Sequence, residues 1–446
     1  MLEKKYYKRA LSLAWPAVFE SFFMALAAII DTFMISSLGP SAVASIGLTT
    51  QPKLIAISVF FAICSAVSAL VARRQGEDNR KKANQTLVTA LLLTLIFIVI
   101  TMVIMIYFAD SILRFAGSTE ETHQMAKDYF IVIMAGIGFT AISQVINAAH
   151  RGAGNTQVAF VTNLVSSIVN IFFNYLLIGG HLGFPALGTK GAAIATVLGT
   201  IVSTIMCIAS LRKADSYLNF KIMKKEKIEI NRTITKEISN LSVNIFIEIM
   251  SMRIGFFITA ITAAKLGTSS FALHNVGMNL LTLSFSLGDG MSVAVITLTG
   301  NSLGAGHKDE AIRYGKVCQQ IGLIMSIIIS LIFFLFGRNI YALFFNDQEM
   351  IKNSGIIIKY LGFIVLMQIQ QVIHGGSLRA AGDVKYTLIV AIVSVTIIRS
   401  IITLITVNLL QLGLDGIWIG VLSDQTSRFI ALRARFKRGK WIDLKI

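Results

Sequence analysis

The fragments HRGAGNTQ, at residues 150–157, and LRAAGDVK, at residues 378–385, each follow a long apolar run and share the motif Arg-x-Ala-Gly. Their arginines lie 228 residues apart in a chain of 446 residues. At the same offset, Glu20 corresponds to Glu248, and both acids lie inside apolar runs. A shared apolar composition would not align rare acids together with a polar motif. The sequence therefore predicts that one unit has been duplicated.

The composition is typical of a membrane protein. Hydrophobic residues make up 55% of the chain, charged residues only 14%, and the mean hydropathy is +0.73. Soluble domains carry roughly 25% charged residues, so most of this chain is expected to lie in lipid. Because a helix satisfies its own backbone hydrogen bonds, apolar runs of about 20 residues predict membrane-spanning helices.

Twelve such runs predict an all-α membrane protein with six spans in each copy of the repeat. They occupy residues 10–37, 44–72, 84–108, 128–150, 158–179, 188–211, 241–265, 270–300, 315–337, 354–377, 386–409 and 414–436.

The predicted architecture has two six-helix lobes. Six is an even number, so both copies enter the membrane from the same side, and a pseudo-two-fold axis along the membrane normal is expected to relate them. The predicted domains are an N-terminal lobe at residues 1–212, a cytoplasmic connecting loop at 213–240 and a C-terminal lobe at 241–446.

The distribution of Lys and Arg predicts the orientation. These residues are concentrated in alternate loops and near both termini, which places both termini in the cytoplasm of a multi-pass cell-membrane protein. Only Arg253 and Arg399 are counted within spans. The formal charge of +17 follows from this bias and from anionic lipid at the cytoplasmic face, so no nucleic-acid partner is expected.

The sequence has no motif that is typical of an enzyme. There is no Walker motif, catalytic triad or metal-ligand spacing, so neither catalysis nor a bound cofactor or structural metal is expected. Cys64, Cys207 and Cys318 lie in apolar runs without a Cys or His partner at ligand spacing. We expect them to be small core residues.

Five fragments together resemble the MATE family (multidrug and toxic compound extrusion). They are WPAVFESFFMALAAIIDTFMISSLGPSAVASIGL, NAAHRGAGNTQ, LGTKGAAIAT, GNSLGAGHKDEA and GGSLRAAGD. The resemblance extends over essentially the whole chain. It implies a monomeric secondary transporter in the lipid bilayer that exports lipophilic, often cationic drugs by alternating access, in exchange for H⁺ or Na⁺.

Asp31, in the fragment AAIIDTFMIS of the first span, is the leading candidate for coupling. A carboxylate at a helix centre costs about 2.5–3.5 kcal/mol, so an acid kept there usually has a task. The resemblance places Asp31 at the cation-binding aspartate of the family's N-terminal lobe. Apolar surroundings would favour a proton and nearby oxygens would favour sodium, so the sequence leaves the ion open. A hydrogen bond to a neighbouring helix is the alternative role.

Amide side chains are expected to complete this site. Asn170 and Asn174 stand four residues apart in the fifth span and therefore share a helix face. Asn147 in the fourth span and Thr196 in the sixth are expected to add oxygens. The family commonly has Asn-x-x-x-Asp in the fifth span, so the asparagine at 174 leaves Asp31 as the only carboxylate. Joining helices within the lobe is the alternative role of these amides.

Glu248 in the seventh span resembles an acid of the family's C-terminal lobe, which one branch uses for coupling. That branch also carries an acid in the tenth span, where this chain has Gln368. A second coupling or substrate site is therefore predicted to be incomplete. Arg253 is expected to form an ion pair with Glu248 or with Asp289 of the eighth span.

Glu20 precedes Asp31 by eleven residues, which is three helical turns and about 16 Å along the same face of the first span. It is expected either to relay protons or to lie near water at the inner mouth. Pro16 is expected to act as a hinge beside it.

The two Arg-x-Ala-Gly loops are interpreted as hinges and anchors at the cytoplasmic ends of the fourth and tenth spans. Their glycines are expected to permit a tight turn. Arg151 and Arg379 are expected to reach toward lipid headgroups or to cap helix carbonyls.

Two other classes of function remain open. A flippase for a lipid-linked or peptidic metabolite would be expected to have a strongly basic cavity. The lack of arginine in the first two spans disfavours it. A channel or receptor is disfavoured because alternating access explains both the duplicated lobes and the intramembrane acids.

Overall fold

The chain folds as a set of long α-helices. A computed structural model describes residues 2–213, 216–345 and 347–444, and this part of the chain contains no β-strand, which confirms the predicted all-α class. The helices are α1 (Leu2–Ser36), α2 (Pro40–Gly76), α3 (Arg80–Tyr107), α4 (Ala109–Phe115), α5 (Glu120–Ala135), α6 (Ile137–Gly152), α7 (Thr156–Gly179), α8 (Gly188–Ser210), α9 (Phe220–Lys225), α10 (Arg232–Lys265), α11 (Thr268–Gly304), α12 (Lys308–Ala342), α13 (Gln348–Ala380), α14 (Val384–Ala391), α15 (Ser400–Leu404) and α16 (Gly413–Lys437).

Ten of the twelve predicted spans each lie on one of these helices, the fourth (128–150) falls on both α5 and α6, and the eleventh (386–409) includes α14 and α15. In the described part of the chain, ten segments are long and apolar enough to cross a membrane, and α5 with α6 forms an eleventh candidate that is bent by 46°. The twelfth predicted span corresponds to α16, which is outside this group. Charged residues such as Asp424 and Arg428 make α16 more polar than the other spans.

The segment between the two repeats is more helical than predicted. Part of the predicted loop 213–240 forms α9, and α10 begins at Arg232. Asparagine caps explain both starts: the Asn219 side chain accepts from the Lys221 N–H at 2.6 Å, and the Asn231 side chain accepts from the Thr233 N–H at 2.8 Å. Residues 214 and 215 of the loop lie outside the described part of the chain.

The eleventh predicted span is one continuous helical segment, Val384–Leu409, that alternates between α-helix and π-helix. Residues Ile392–Arg399 and Ile405–Leu409 form π-helical turns on either side of α15. The run packs closely on α10, where Gly255 leaves no room for a β-carbon against the Val395 carbonyl group. Such π-helical turns are rare and occur frequently at functional sites.

Contacts divide the chain into two compact units. One is Phe19–Val243, and the other combines Met1–Val18 with Asn244–Ile446. The domain boundaries given by the sequence, 1–212, 213–240 and 241–446, remain a prediction. Large, fully buried side chains include Phe60, Phe130 and Met134 in the first unit and Trp418, Trp441 and Tyr341 in the second.

The two Arg-x-Ala-Gly motifs form the same turn. Their last glycines, Gly154 and Gly382, have φ angles of +73° and +84°. Each glycine N–H donates to the carbonyl of the motif's arginine at 3.0 Å. The N–H of the next residue donates to the carbonyl of the residue before that arginine, at 2.8 Å and 2.9 Å. These bonds end α6 and α13 in a Schellman-type motif, which accounts for the repeated glycine.

Replacing Gly154 or Gly382 with alanine is expected to lower the free energy of unfolding by about 1–2 kcal/mol, because an L-residue at positive φ is strained. Gly47→Ala in α2 is the matched control, since its φ is not positive and an added β-carbon would meet nothing within 4 Å. The control is expected to keep stability or to raise it by up to about 1 kcal/mol, because alanine is the better helix former. Thermal unfolding in detergent measures all three variants. Equal melting temperatures would contradict the assignment of these turns.

Candidate functional site

Asp31 meets two amides of α7. It lies on α1, five residues before the last residue of the helix, and is partly exposed. Asn174 Nδ2 donates to Asp31 Oδ1 at 2.6 Å. In the orientation that satisfies both of its amide atoms, Asn170 donates to Asp31 Oδ1 at 2.7 Å and to Oδ2 at 3.1 Å. We call Asp31, Asn170 and Asn174 the Asp31 site. The four-residue spacing in α7 places both amides on one helix face.

Thr196 contacts Asn170 of this site. Its backbone N–H donates to the Asn170 amide oxygen at 3.1 Å, and its hydroxyl donates to the Ala192 carbonyl at 3.0 Å. Thr196 therefore orients Asn170, and the expectation that it adds an oxygen facing Asp31 is not met. The Asn174 amide oxygen is buried and has no hydrogen-bond partner. It is an acceptor that is available to a bound cation or to a protonated carboxyl group.

Sequence reasoning missed Lys53 of α2, whose charge interacts with the Asp31 carboxylate at longer range than a direct ion pair. Lys53 lies inside the predicted second span, 44–72, and α2 continues through Pro52 and carries it within the helix. The count that placed only Arg253 and Arg399 within spans was therefore incomplete. The second span does hold a cation, which weakens the sequence argument against a flippase.

Asn147 does not belong to the Asp31 site. Its amide nitrogen donates to Thr162 Oγ1 at 3.0 Å, and its amide oxygen lies 3.3 Å from Cys207 Sγ. Thr162 precedes Asn174 by twelve residues on α7, which is about 18 Å along the helix. The prediction that Asn147 adds an oxygen beside Asp31 is wrong, because Asn147 instead joins α6, α7 and α8.

Glu20 is held in an ion pair. Arg151 Nη1 donates to Glu20 Oε1 at 3.0 Å, and Asn163 Nδ2 donates to the same oxygen at 2.6 Å. Glu20 is only 8% exposed, so the expectation of an acid beside open water is not met. Arg151 likewise uses its guanidinium for Glu20 and does not reach away toward headgroups.

Glu248 forms the equivalent pair in the second repeat. Arg379 Nη2 donates to Glu248 Oε1 at 2.5 Å, and Thr387 Oγ1 donates to Oε2 at 2.9 Å. Glu248 is 4% exposed. The expectation that it pairs with Arg253 is wrong, and so is the expectation that Arg379 reaches toward headgroups. Arg253 follows Glu248 by only five residues on the same helix, whereas Arg379 arrives from the end of α13.

The two ion pairs explain why the motif carries an arginine. In both repeats the acid and the arginine are 131 residues apart. Each pair ties the first helix of a repeat to the turn that ends a later helix. An unpaired acid or arginine in this apolar environment would be costly, so each partner requires the other. The shared spacing of the repeated acid and the repeated arginine is a signal by which sequence alone could have found the pairs.

Arg379→Met is expected to lower the free energy of unfolding by about 2–3 kcal/mol, because it leaves Glu248 buried without its counter-charge. The double variant Glu248→Gln with Arg379→Met is expected to lose about 1–3 kcal/mol less than the sum of the two single variants. Chemical unfolding of the purified protein in detergent measures this cycle. Additive losses would show that the pair contributes nothing beyond its separate side chains.

The other residues predicted for the C-terminal lobe do not contact Glu248. Gln368 of α13 is buried with its side-chain oxygen unpartnered, and Asp289 of α11 is exposed. The contacts of the Glu248 carboxylate in the described part of the chain are Arg379 and Thr387. Pro16, the predicted hinge, lies inside α1, which continues as one helix to Ser36.

A second charge cluster, also missed by sequence reasoning, lies around Asp424. Asp424 accepts from Arg399 at 3.3 Å and from Arg428 at 3.2 Å, and Asp424 and Arg399 are 0% and 1% exposed. Arg399 also donates to Thr259 Oγ1 at 3.0 Å and stacks on the Phe256 ring at 4.7 Å. Arg399 ends the first π-helical turn, so this winding positions the guanidinium among α10, α11 and α16.

The three cysteines are buried and free, as expected for core residues. In the ranges that the structure describes, no group of three or more His, Cys, Asp or Glu residues is placed to hold a metal ion. The carboxylate of Asp31 and the unpartnered Asn174 oxygen make the Asp31 site the candidate for transient binding of a small cation as substrate.

These features define a class of protein. The chain consists of apolar helices that form two copies of one unit, and acidic residues lie on its spans. This architecture is typical of a membrane transporter.

Comparisons with known proteins identify the family. The MatE family model matches the chain twice, at residues 16–176 and 245–405, which confirms the duplication. The chain is 27% identical over 442 residues to a probable multidrug resistance protein NorM of Thermotoga maritima, covering 97% of this chain and 93% of that protein.

Solved structures agree on the fold. An outward-facing multidrug resistance MATE transporter of the MOP superfamily superposes with a TM-score of 0.88 and 24% identity, covering 98% of this chain and 97% of its own. A MOP superfamily transporter from Pyrococcus furiosus gives a TM-score of 0.89 at 23% identity, with the same coverage. The chain belongs to the MATE family, whose members are membrane transporters and not enzymes.

Proposed function

We propose that this protein is a multidrug exporter of the cell membrane, which expels lipophilic, often cationic compounds in exchange for H⁺ or Na⁺. The observation that carries the proposal is the Asp31 site: a carboxylate on an apolar span, held by two amides of another span. The relative from Thermotoga maritima is described as a probable multidrug resistance protein, which supports export as the direction. We further propose that the protein acts as a monomer with both termini in the cytoplasm.

The coupling step follows from the hydrogen bonds of Asp31. While the carboxylate is charged, the Asn170 and Asn174 amides donate to it and hold α1 against α7. A proton or a sodium ion neutralises the carboxylate, weakens those bonds and offers the unpartnered Asn174 oxygen a new partner. The cation therefore favours one arrangement of α1 over another.

Antiport requires that ion and drug favour different conformations. The free energy of coupling equals the difference in their binding to the inward-open and outward-open states. A cation arriving from outside would stabilise the state that releases drug, and drug arriving from the cytoplasm or the inner leaflet would stabilise the state that releases the cation. ATP has no part in this cycle.

The test is efflux of ethidium from membrane vesicles that contain the protein, with a proton gradient or a sodium gradient imposed separately. We expect efflux against the ethidium gradient under at least one of the two, and collapse of efflux when an ionophore dissipates that gradient. Efflux that persists without any ion gradient would contradict the antiport mechanism. An absence of efflux under both gradients would favour a flippase acting on a lipid-linked or peptidic metabolite.

A further inference from the structure

Lys53 is placed where a lysine is costly. It lies thirteen residues after the start of α2, about 20 Å along the helix, and twenty-three residues before its end. The helix is long and apolar enough to cross a membrane, and Lys53 is only partly exposed within it. A lysine at a helix centre costs about 2.5–3.5 kcal/mol on insertion scales, so a compensating interaction is needed.

The Asp31 carboxylate supplies that interaction. The charges of Lys53 and Asp31 interact, and Tyr129 of α5 is a further titratable group beside the same carboxylate. Asp31 and Lys53 have opposite charges, so together they make the site electrically neutral without any added ion. Neither residue is fully buried.

The orientation of the amides suits an anion and does not suit a metal ion. Both Asn170 and Asn174 present their nitrogen atoms to the Asp31 carboxylate. The Asn170 oxygen is used by the Thr196 backbone N–H at 3.1 Å, which fixes that orientation. A sodium ion needs a shell of oxygens, as hard cations do, and would meet the N–H groups and the Lys53 ammonium instead. One amide oxygen, that of Asn174, is left for it.

We infer that Lys53 is a specificity-determining residue that excludes sodium from the Asp31 site, by providing the positive charge that a sodium ion would otherwise bring. This inference rests on the proposed function and assigns its coupling ion. The Lys53 charge opposes a proton as well, but a proton needs only one carboxylate oxygen and no shell of oxygens, so the proton is the ion that drives export. Lys53 acts through its charge.

Sodium binding tests the inference without any transport. The purified protein is equilibrated with ²²Na⁺ in detergent at pH 7.5, and binding is compared among the native protein, Lys53→Met, Lys53→Arg and Lys53→Met combined with Asp31→Asn. We expect no saturable binding by the native protein or by Lys53→Arg. Lys53→Met is expected to gain saturable sodium binding, and the added Asp31→Asn change is expected to abolish that binding.

Two outcomes would overturn the inference. One is saturable sodium binding by the native protein that depends on Asp31, and the other is a folded Lys53→Met variant that gains no sodium binding. Gel filtration and thermal unfolding verify that the variant is folded, and Lys53→Gln takes its place if Lys53→Met does not fold. Either result is obtained even if the protein moves no drug, so this inference and the proposed export function fail separately.

A transport arm adds an independent readout. Ethidium efflux by the native protein is expected under a proton gradient and not under a sodium gradient. Lys53→Met is expected to gain efflux under a sodium gradient. Sodium-driven efflux by the native protein would overturn the exclusion of sodium while leaving the export function intact.

Discussion

Asp31→Asn is expected to reduce gradient-driven ethidium efflux to the level of the background leak, while the protein still folds. Asparagine has nearly the same shape as aspartate, but it cannot take up a proton or neutralise a cation. The Asn174 N–H group, now 2.6 Å from Asp31 Oδ1, would still find an oxygen at that position. The change therefore removes the charge to which we assign the coupling and keeps most of the packing.

The matched control is Asp110→Asn. Asp110 lies on α4, outside the apolar spans, and pairs on the surface with Lys127 at 2.8 Å. Surface pairs contribute about 0–1 kcal/mol, so this variant is expected to retain native efflux. Efflux is measured in vesicles with matched amounts of protein. Native activity in Asp31→Asn would move the coupling site elsewhere, and Glu248 would be the next acid to test.

Asp424→Ala is expected to produce the largest loss of stability, about 3–5 kcal/mol. Asp424 is fully buried and is the shared partner of Arg399 and Arg428. Its removal leaves two guanidinium groups close together in the interior without a counter-charge. Their mutual repulsion adds to the cost of desolvating each of them.

Chemical unfolding in detergent measures this loss, with Asp443→Ala as the matched control. Asp443 pairs with Lys308 at 2.7 Å, but both side chains are more than half exposed. Water screens that pair, so its removal is expected to cost no more than about 1 kcal/mol. A loss of similar size in both variants would show that the buried cluster does not stabilise the protein.

The spans and the duplication could be predicted because both can be read from short stretches of sequence without knowledge of contacts. An apolar run of sufficient length specifies a helix wherever it lies, and the motif at Arg151 repeats at Arg379 with its glycine. The end of a run is less well defined by hydropathy. The cap at Asn231, for example, starts α10 nine residues before the predicted span at 241–265.

The candidate site was predicted only in part because its contacts join distant segments. The cost of a carboxylate singled out Asp31, and helical spacing brought Asn170 and Asn174 together. The sequence did not predict how far along the helix bundle Asn147 lies from Asp31, and its actual position is too far away for a contact. Lys53 lies inside the predicted span 44–72, but the count of Lys and Arg within spans omitted it.

The ion pairs show how a repeat carries more information than either copy. A single Glu20 or a single Arg151 has many possible partners in an apolar chain. Both recur with a separation of 131 residues, and the structure forms the pair in each repeat. The duplicated spacing was therefore evidence of a contact as well as evidence of common descent.

If drug movement is coupled to a cation at the Asp31 site, a gradient of drug must in turn move that cation. This reciprocal flux is the most direct test of the coupling. Proteoliposomes are given a gradient of drug but no ion gradient, and the flux of protons and of sodium is recorded when drug is added. Drug should drive an opposite flux of one cation in the native protein, and Asp31→Asn should abolish that flux. Drug movement without any ion flux, or an undiminished flux in Asp31→Asn, would contradict the claim.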